Sequence, residues 1–334
     1  MSCSPSNALI CAGDPNENII ERLQKLENQL FKVEARLFLA ELELSSSYTS
    51  NIATSHNDAY HGGAVYDMNR QTIISVSRDS NNSRDIFLTK LTDPTHGSTQ
   101  KLSNIIPFSA YYRFPVYDGK DSVYFTQFTD NQNRFGYFDL KNNEFHELES
   151  LPGAHFASPF SGCFNNGIVY YLDSQDQICG YDVEKRTWLR FYITLQTHKN
   201  TQYQCVYGHL LSDPSDPQHL YYLAIKDQQS LFQIDLNTHT CILLCQLPWN
   251  SFLNNTLLIP APFSDGFIII TCIDDGSWYM YSSKNNTWKQ ISKWKKAYTE
   301  YVNSYLVYSP QYNTFYYHIN GCSTWEMAQI SFEN

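Results

Sequence analysis

The sequence lacks the features that mark several classes of protein. It has no run of about 18 apolar residues that could cross a membrane, and residues 1–15 lack the basic and apolar regions of a secretory signal. Basic residues are in the minority, because 23 Lys and Arg against 33 Asp and Glu give a net charge of -10. Since this charge repels phosphate backbones and anionic lipid, we expect no nucleic-acid and no membrane partner.

Patterns for catalysis and metal binding are also missing. The chain contains no GxSxG, HExxH, Walker loop or dinucleotide-type glycine pattern. Its 9 cysteines form no CxxC pair, and no His stands at metal-ligand spacing beside Cys241 and Cys245. Being four apart, these two side chains would share one face of a strand. We therefore predict no catalytic residue, no metal, no cofactor, and reduced thiols in the cytoplasm.

Aromatic residues are abundant, at 15% of the chain, and favour strands because flat side chains pack well on pleated sheets. One phrase recurs among them: a large residue, a polar hairpin, and a second large residue seven positions later. Its copies are FDLKNNEF (Phe138–Phe145), YDVEKRTW (Tyr181–Trp188), IDLNTHTC (Ile234–Cys241) and YSSKNNTW (Tyr281–Trp288). They recur at intervals of 43, 53 and 47 residues, in the range expected for one four-stranded propeller blade.

The repeat predicts an all-β fold, a six-bladed β-propeller. Anchors of the third strand of each blade fall near residues 88, 138, 181, 234, 281 and 328. The last unit, from Tyr298 to Asn334, has strand-like runs for only part of a blade, so we expect residues 46–54 to add its outer strand and close the ring. The predicted domains are a disordered leader (1–15), a coiled-coil helix (16–45) and the propeller (46–334).

Apolar residues in the N-terminal segment follow a heptad pattern, with alternating spacings of four and three. The pattern predicts an α-helical coiled coil that mediates self-association as a homo-oligomer. Arg22 and Glu27 flank the apolar stripe and would form a charge match across a parallel pair. The alternative is a single amphipathic helix folded against its own propeller. The predicted oligomerisation residues are Ile19, Leu23, Leu26, Leu30, Val33, Leu37 and Leu44.

The copies YDVEKRTW and YSSKNNTW resemble the second half of a kelch repeat, in which the Tyr ends the third strand and the Trp opens the fourth. The resemblance extends over roughly residues 60–334 as a repeat pattern. The double glycine that ends the second strand of a kelch repeat is absent, and YLDS, FTQF and CIDD stand in its place. The resemblance implies a protein-recognition platform, although a minority of kelch propellers are enzymes, such as sialate epimerases and relatives of galactose oxidase.

The loops that enter the first strands of a propeller converge around its central channel, so a binding site is expected there. The resemblance implies that Arg113 grips acidic partners, for which its fork of donors is suited; bonding to loop carbonyls is the alternative. The loops between blades are rich in aromatic residues, a composition typical of recognition surfaces. The predicted partner-binding residues are His61, Arg113, His155, Tyr203, Trp249 and Trp294.

Two functions are compatible with this pattern. The first is a non-enzymatic scaffold or adaptor, whose propeller face recognises a partner protein while the coiled coil mediates self-association. The alternative is a glycan-binding or glycan-processing enzyme of the sialidase, epimerase or glycosidase type, acting at the channel mouth. A glycosidase would require paired carboxyl groups, one with a raised pKa, beside exposed aromatic residues.

Overall fold

The structure, a computed structural model, describes most of the chain from residue 42 onward. The predicted leader and residues 16–41 of the predicted helix lie outside the described residues. The described ranges are 42–44, 48–53, 60–78, 85–103, 105–107, 115–129, 132–150, 162–172, 178–191, 208–213, 216–224, 230–249, 253–260, 267–273, 277–283, 286–293, 305–318 and 324–332.

Strands are the only regular elements among these residues, and none of the described ranges provides a helix able to cross a bilayer. In chain order the strands are β1 (Leu42–Leu44), β2 (Tyr48–Ala53), β3 (Tyr60–Asp67), β4 (Thr72–Arg78), β5 (Ile86–Leu91), β6 (Gly97–Leu102), β7 (Val116–Tyr117), β8 (Ser122–Thr129), β9 (Gln132–Asp139), β10 (Glu144–Leu148), β11 (Gly162–Asn165), β12 (Ile168–Leu172), β13 (Ile178–Asp182), β14 (Thr187–Phe191), β15 (Gly208–Ser212), β16 (His219–Ala224), β17 (Ser230–Asp235), β18 (Thr240–Gln246), β19 (Leu253–Pro260), β20 (Phe267–Ile273), β21 (Ser277–Ser282), β22 (Thr287–Lys293), β23 (Tyr305–Ser309), β24 (Thr314–His318) and β25 (Thr324–Phe332).

The strands in the described ranges form six antiparallel sheets. Five of them are four-stranded and contain consecutive strands: β3–β6, β7–β10, β11–β14, β15–β18 and β19–β22, here called blades 1 to 5. The first strands of successive sheets are neighbours in a closed order, from β3 through β7, β11, β15, β19 and β23 back to β3. This is the arrangement of blades around the channel of a β-propeller. The predicted all-β propeller fold is therefore confirmed.

Both faces of a blade are buried against its neighbours. On β12, Val169 and Tyr171 pack in one cluster with Tyr124 of blade 2. The alternate residue Tyr170 packs in another cluster with Leu210 of blade 4. Because neither face of the strand meets solvent, β12 is a continuous apolar run instead of an alternation of apolar and polar residues.

The recurring phrase forms the turn between the third and fourth strands of a blade. The Oδ1 atom of Asp139 accepts hydrogen bonds from the backbone N–H groups of Lys141 and Asn142, at 2.7 and 3.1 Å. Four residues after the Asp, the backbone takes the left-handed conformation that reverses the chain, with φ of 56° at Asn143. The equivalent residues are also left-handed: Arg186 (55°), His239 (58°) and Asn286 (51°).

The last sheet contains strands from both ends of the described chain. β25 pairs with β24 along one edge, while β1 and β2 follow one another along its other edge. Leu42 lies opposite Phe332, and Tyr48 lies opposite Met327. β1 and β2 therefore act as one interrupted outer strand, and the edge of β25 that would otherwise be open is paired.

The predicted C-terminal end of the N-terminal helix is wrong. The heptad pattern extends the helix to residue 45, but Leu42–Leu44 is a strand antiparallel to β25. Leu44, the last of the predicted oligomerisation residues, consequently belongs to a sheet. Leu42 and Leu44 also fit the two-residue period of a strand, and the backbone of a strand can pair with the open edge of β25, whereas a helix cannot. The other predicted oligomerisation residues, from Ile19 to Leu37, lie outside the described residues.

Deleting residues 325–334 tests the role of β25, because the deletion removes nearly all of this strand. We expect a lower melting temperature, since β24 and β1–β2 lose their shared neighbour and the fully buried Met327 leaves the core. Thermal unfolding followed by circular dichroism measures the change. Deleting only residues 333–334, which retains β25, is the matched control. An unchanged melting temperature in the longer deletion would show that the ring does not need β25.

Candidate functional site

The antiparallel topology divides the connections of the ring between two faces. Turns between the first and second strands and between the third and fourth strands of each blade lie on one face, here called the turn face. The loops that enter each first strand and the hairpins between second and third strands lie on the other face, here called the loop face. The partner-binding residues predicted from the sequence belong to the loop face.

The described residues include little of the predicted loop-face site. Arg113, His155, Tyr203 and Trp294 lie outside them. The backbone of His61 lies in β3, opposite Ser77 and next to a register shift in the pairing of β3 with β4. The predicted contacts of these five residues with a partner therefore stay predictions.

The prediction that Trp249 offers an exposed contact surface is wrong. Its side chain is 7% exposed, and its ring centroid lies 4.3 Å from that of Tyr279 and 4.9 Å from that of Trp288. These rings belong to a cluster that also contains Leu231 of blade 4 and Phe267 of blade 5. Trp249 is buried because the indole fills the space between two blades.

The turn face carries a repeated polar feature that the sequence analysis missed. In five of the sheets the residue at or directly after the end of the first strand is polar and buried, and three of these residues, Asp67, Asn165 and Ser309, bind the following sheet. A signal was present, because a Val-Tyr pair followed by Asp or Ser begins at Val65, Val116 and Val307. The buried residues are Asp67, Asp118, Asn165, Asp213 and Ser309.

Asp67 links blade 1 to blade 2. Its Oδ1 atom accepts a hydrogen bond of 2.8 Å from the hydroxyl of Tyr117 in β7. Its Oδ2 atom lies 2.8 Å from Nη1 of Arg70, which also pairs with Asp121 of blade 2. Burial and the bond to Asp67 raise the pKa of Tyr117, so the phenol stays protonated and remains a donor.

Equivalent positions link other pairs of neighbouring sheets. Ser309 Oγ donates to the hydroxyl of Tyr66 in blade 1 at 2.9 Å, and this Tyr is the counterpart of Tyr117. Between blades 3 and 4, Nδ2 of Asn165 donates to the carbonyl of Pro217 at 3.2 Å. In the reverse direction, Ser212 Oγ donates to the carbonyl of Phe164 at 2.8 Å. Hydrogen bonds thus reinforce apolar packing at successive blade junctions.

The two Tyr–Trp copies of the recurring phrase add links further from the channel. Tyr181 and Trp188 lie directly opposite each other on β13 and β14, with ring centroids 5.3 Å apart. The indole N–H of Trp188 donates to the carbonyl of Glu149 in blade 2 at 2.8 Å. In blade 5, Trp288 likewise reaches Cys245 of blade 4, with 3.3 Å between Nε1 and Sγ. The aromatic pair therefore packs within one blade and binds the preceding one.

The expectation that Cys241 and Cys245 share a face of their strand is wrong. The pairing of β17 with β18 shifts between Leu231 and Phe232, so that Leu244 is an extra residue. Cys241 consequently packs against the cluster shared with blade 3, and Cys245 packs against the cluster shared with blade 5.

Carboxyl groups of the turn face are held in the ionised form. The hydrogen bond from Lys185 Nζ, at 2.7 Å, lowers the pKa of Asp182. The backbone N–H groups of Thr238 and Asn237 lower the pKa of Asp235. A general acid near neutral pH needs a raised pKa, so Asp182 and Asp235 are unsuited to proton donation.

One histidine of the turn face lies between two carboxylates. His219 Nδ1 is 2.8 Å from Asp216 Oδ2, and its Nε2 is 4.0 Å from Asp235 Oδ2. Within the part of the chain that the structure describes, no three His, Cys, Asp or Glu side chains form a group that could hold a metal ion. The contact between Asp216 and His219 ties the turn that follows β15 to the start of β16.

The fold and the blade-to-blade links define a β-propeller. No protein-family model matches the chain, and no curated protein matches it. Among solved structures 1264 chains match, which makes the fold too widespread to select one function. One of them is a structural genomics protein of unknown function from Bacteroides thetaiotaomicron VPI-5482, with a TM-score of 0.58 and 10% identity over 87% of this chain and 76% of that chain. At that identity the likeness shows the fold alone.

The Tyr117→Phe variant tests the link between blades 1 and 2. It removes the hydroxyl that donates to buried Asp67 and keeps the ring, so we expect the free energy of unfolding to fall by about 1–2 kcal/mol. Chemical denaturation measures this loss. The matched control is Tyr137→Phe in β9 of blade 2, whose hydroxyl makes no hydrogen bond to a described residue. Equal losses in both variants would show that the bond to Asp67 adds nothing specific.

Proposed function

We propose that this protein is a non-enzymatic scaffold, a kelch-like propeller whose loop face binds a partner protein. The observation that supports the proposal is that polar side chains of the turn face form hydrogen bonds within the ring. Asp67, Asn165 and Ser309 bind neighbouring blades, and Asp139 and Asp235 close turns. These groups stabilise the ring and are not free to recognise a ligand. Recognition is therefore assigned to the loop face.

In this proposal the last sheet is a sixth blade. Its first strand, β23, neighbours both β19 and β3, the positions expected on either side of a sixth first strand. Its outer strand is β1 followed by β2, which includes most of the predicted closing segment, residues 46–54. Joining both ends of a ring within one sheet resists opening at that sheet, because each end is held by the strand pairing of the other.

The proposed contact residues on the loop face are His61, Arg113, His155, Tyr203 and Trp294, and Trp249 is no longer among them. Arg113 is suited to carboxylates, because its planar guanidinium can bind both oxygens at once. Tyr203 and Trp294 would add large contact areas at a small loss of conformational entropy. The partner that fits this chemistry is a protein segment with exposed acidic residues.

Self-association through residues 19–37 is compatible with a free loop face. β24 starts at the turn face, so β25 ends there, and Leu42 lies opposite the last residue of β25. The N-terminal segment would therefore leave the propeller on the side away from the partner. Several propellers joined in this way would bind a multivalent partner more tightly than one propeller alone.

The glycan-processing alternative remains a second hypothesis for the channel mouth on the loop face. On the turn face, Asp182 and Asp235 are unsuited as its general acid, because their pKa values are lowered. We assign the protein to the cytoplasm, supported by Cys163, Cys179, Cys241 and Cys245, which form no disulfide bond among the described residues.

The Arg113→Ala variant of the full chain tests the loop face. Proteins that co-purify with the wild type should decrease by at least about tenfold, because a buried Arg is a common hot spot of protein interfaces. Quantitative mass spectrometry of the captured proteins measures this. Lys141→Ala is the matched control, since it removes one positive charge from an exposed position of the turn face. Loss of the same proteins in the Lys141→Ala variant, or no loss in either variant, would contradict the assignment.

Deleting residues 16–40 tests self-association while keeping β1 intact. We expect the molar mass from light scattering to fall to that of one chain, because the apolar heptad stripe is removed. The melting temperature should be retained, as the deleted residues precede β1. A full-length chain that is already monomeric at micromolar concentration would refute self-association through this segment.

A further inference from the structure

The outer strand of blade 4 differs from the other outer strands. β18 has the sequence TCILLCQ, and the side chains of Ile242 and Leu243 are 53% and 54% exposed. Apart from Met68 on a turn of blade 1, these are the large apolar side chains that the described residues leave exposed. Two adjacent residues point to opposite faces of a strand, so the outer edge of β18 is apolar on both sides.

β18 also differs from the outer strands of the other blades in its content of charged residues. The outer strands of the other four blades each contain charged residues, which discourage pairing with another strand, whereas β18 contains none. Examples are Lys101 in β6, Glu144 in β10, Arg190 in β14 and Lys289 in β22.

The outer edge of β18 is also open. Among the described residues β18 pairs only with β17, which lies on its inner side. Apart from the carbonyl of Leu244, which accepts a hydrogen bond of 3.2 Å from Nδ2 of Asn286 in blade 5, no backbone group on the outer edge of β18 pairs with another described strand. This edge can therefore accept a further strand, which would cover its apolar side chains.

We propose that the occupant of this edge is β18 of a second copy of the chain, paired antiparallel about a two-fold axis. In such a pair the residues near the two-fold axis lie opposite their own counterparts, so a charged residue in the middle of the strand would face a like charge. A strand without charge avoids this repulsion. The chain carries a net charge of -10, which repels a second copy at long range, and an uncharged contact strand adds no like-charge pair to this repulsion.

Charge also disfavours a different partner at this edge. A basic protein attracted by the acidic chain would find no carboxylate on β18 to bind.

The strand is 7 residues long and contains the extra residue Leu244, so the paired region is short. The interface is consequently smaller than those of stable dimers, and the association depends on protein concentration. This inference rests on β18 alone and not on the N-terminal segment.

Sedimentation velocity of the full chain tests the proposal, with Leu243→Lys as the disrupting variant. We expect the sedimentation coefficient of the wild type to increase as the protein concentration rises. The Leu243→Lys variant should require at least about tenfold more protein to reach the same increase. Met68→Lys is the matched control, because it introduces the same charge at an apolar side chain that is 62% exposed and distant in sequence from β18. Equal association of Leu243→Lys and Met68→Lys would overturn the proposal.

Hydrogen exchange of the wild type provides a measurement that does not depend on the folding of any variant. Outward amides of β18 should exchange more slowly at high than at low protein concentration, while those of β6 should not change. Slow exchange of β18 that is independent of concentration would mean that another part of the same chain covers the edge. Fast exchange at every concentration would mean that nothing covers it. Either result would overturn the proposal.

Discussion

The structure depends on one constraint: a blade has no face that can be left in water. Alternate residues of β12 are packed into clusters on opposite sides, one shared with blade 2 and the other with blade 4. Removing either neighbour would expose a continuous apolar surface. A linear stack of such sheets would always leave two uncovered faces, and a ring leaves none. The closed order of first strands and the shared sheet at the chain ends both satisfy this requirement.

Polar residues are placed where they reinforce the ring without interrupting its apolar interior. Asp67 and Ser309 are buried at the ends of first strands, where the adjacent blade supplies a hydroxyl as hydrogen-bond partner. A buried carboxylate without such donors would destabilise the fold. Because hydrogen bonds on the turn face stabilise the ring, loops on the opposite face can vary in sequence while the fold is retained.

The sequence was sufficient to predict the class of fold and the blade periodicity, because the phrase around Tyr181–Trp188 has a fixed register across a hairpin. Features that depend on contacts between blades were not predictable. The extra residue Leu244 turns Cys245 away from the face of Cys241, and nothing in TCILLCQ marks where a bulge occurs. Trp249 is buried by a neighbouring blade that local sequence does not reveal. Leu44 fits the heptad, whereas Leu42 and Leu44 together fit the period of a strand, and pairing with β25 decides between the two. For the candidate site, the sequence did not reveal the buried residues that end the first strands, because their partners belong to a neighbouring blade.

The sheet that joins both ends of the described chain determines which part of the protein can fold last. β1 and β2 are among the earliest described strands to be synthesised, yet their partner β25 is the last. During translation the backbone of β1 and β2 stays unpaired while the blades between these strands and β25 are synthesised. Contacts that join distant parts of a chain are slow to form, so sealing the ring is the late step of maturation. Until then the waiting strand is exposed to capture by a neighbouring nascent chain, and exchange of this segment between copies is the error to which the architecture is most susceptible.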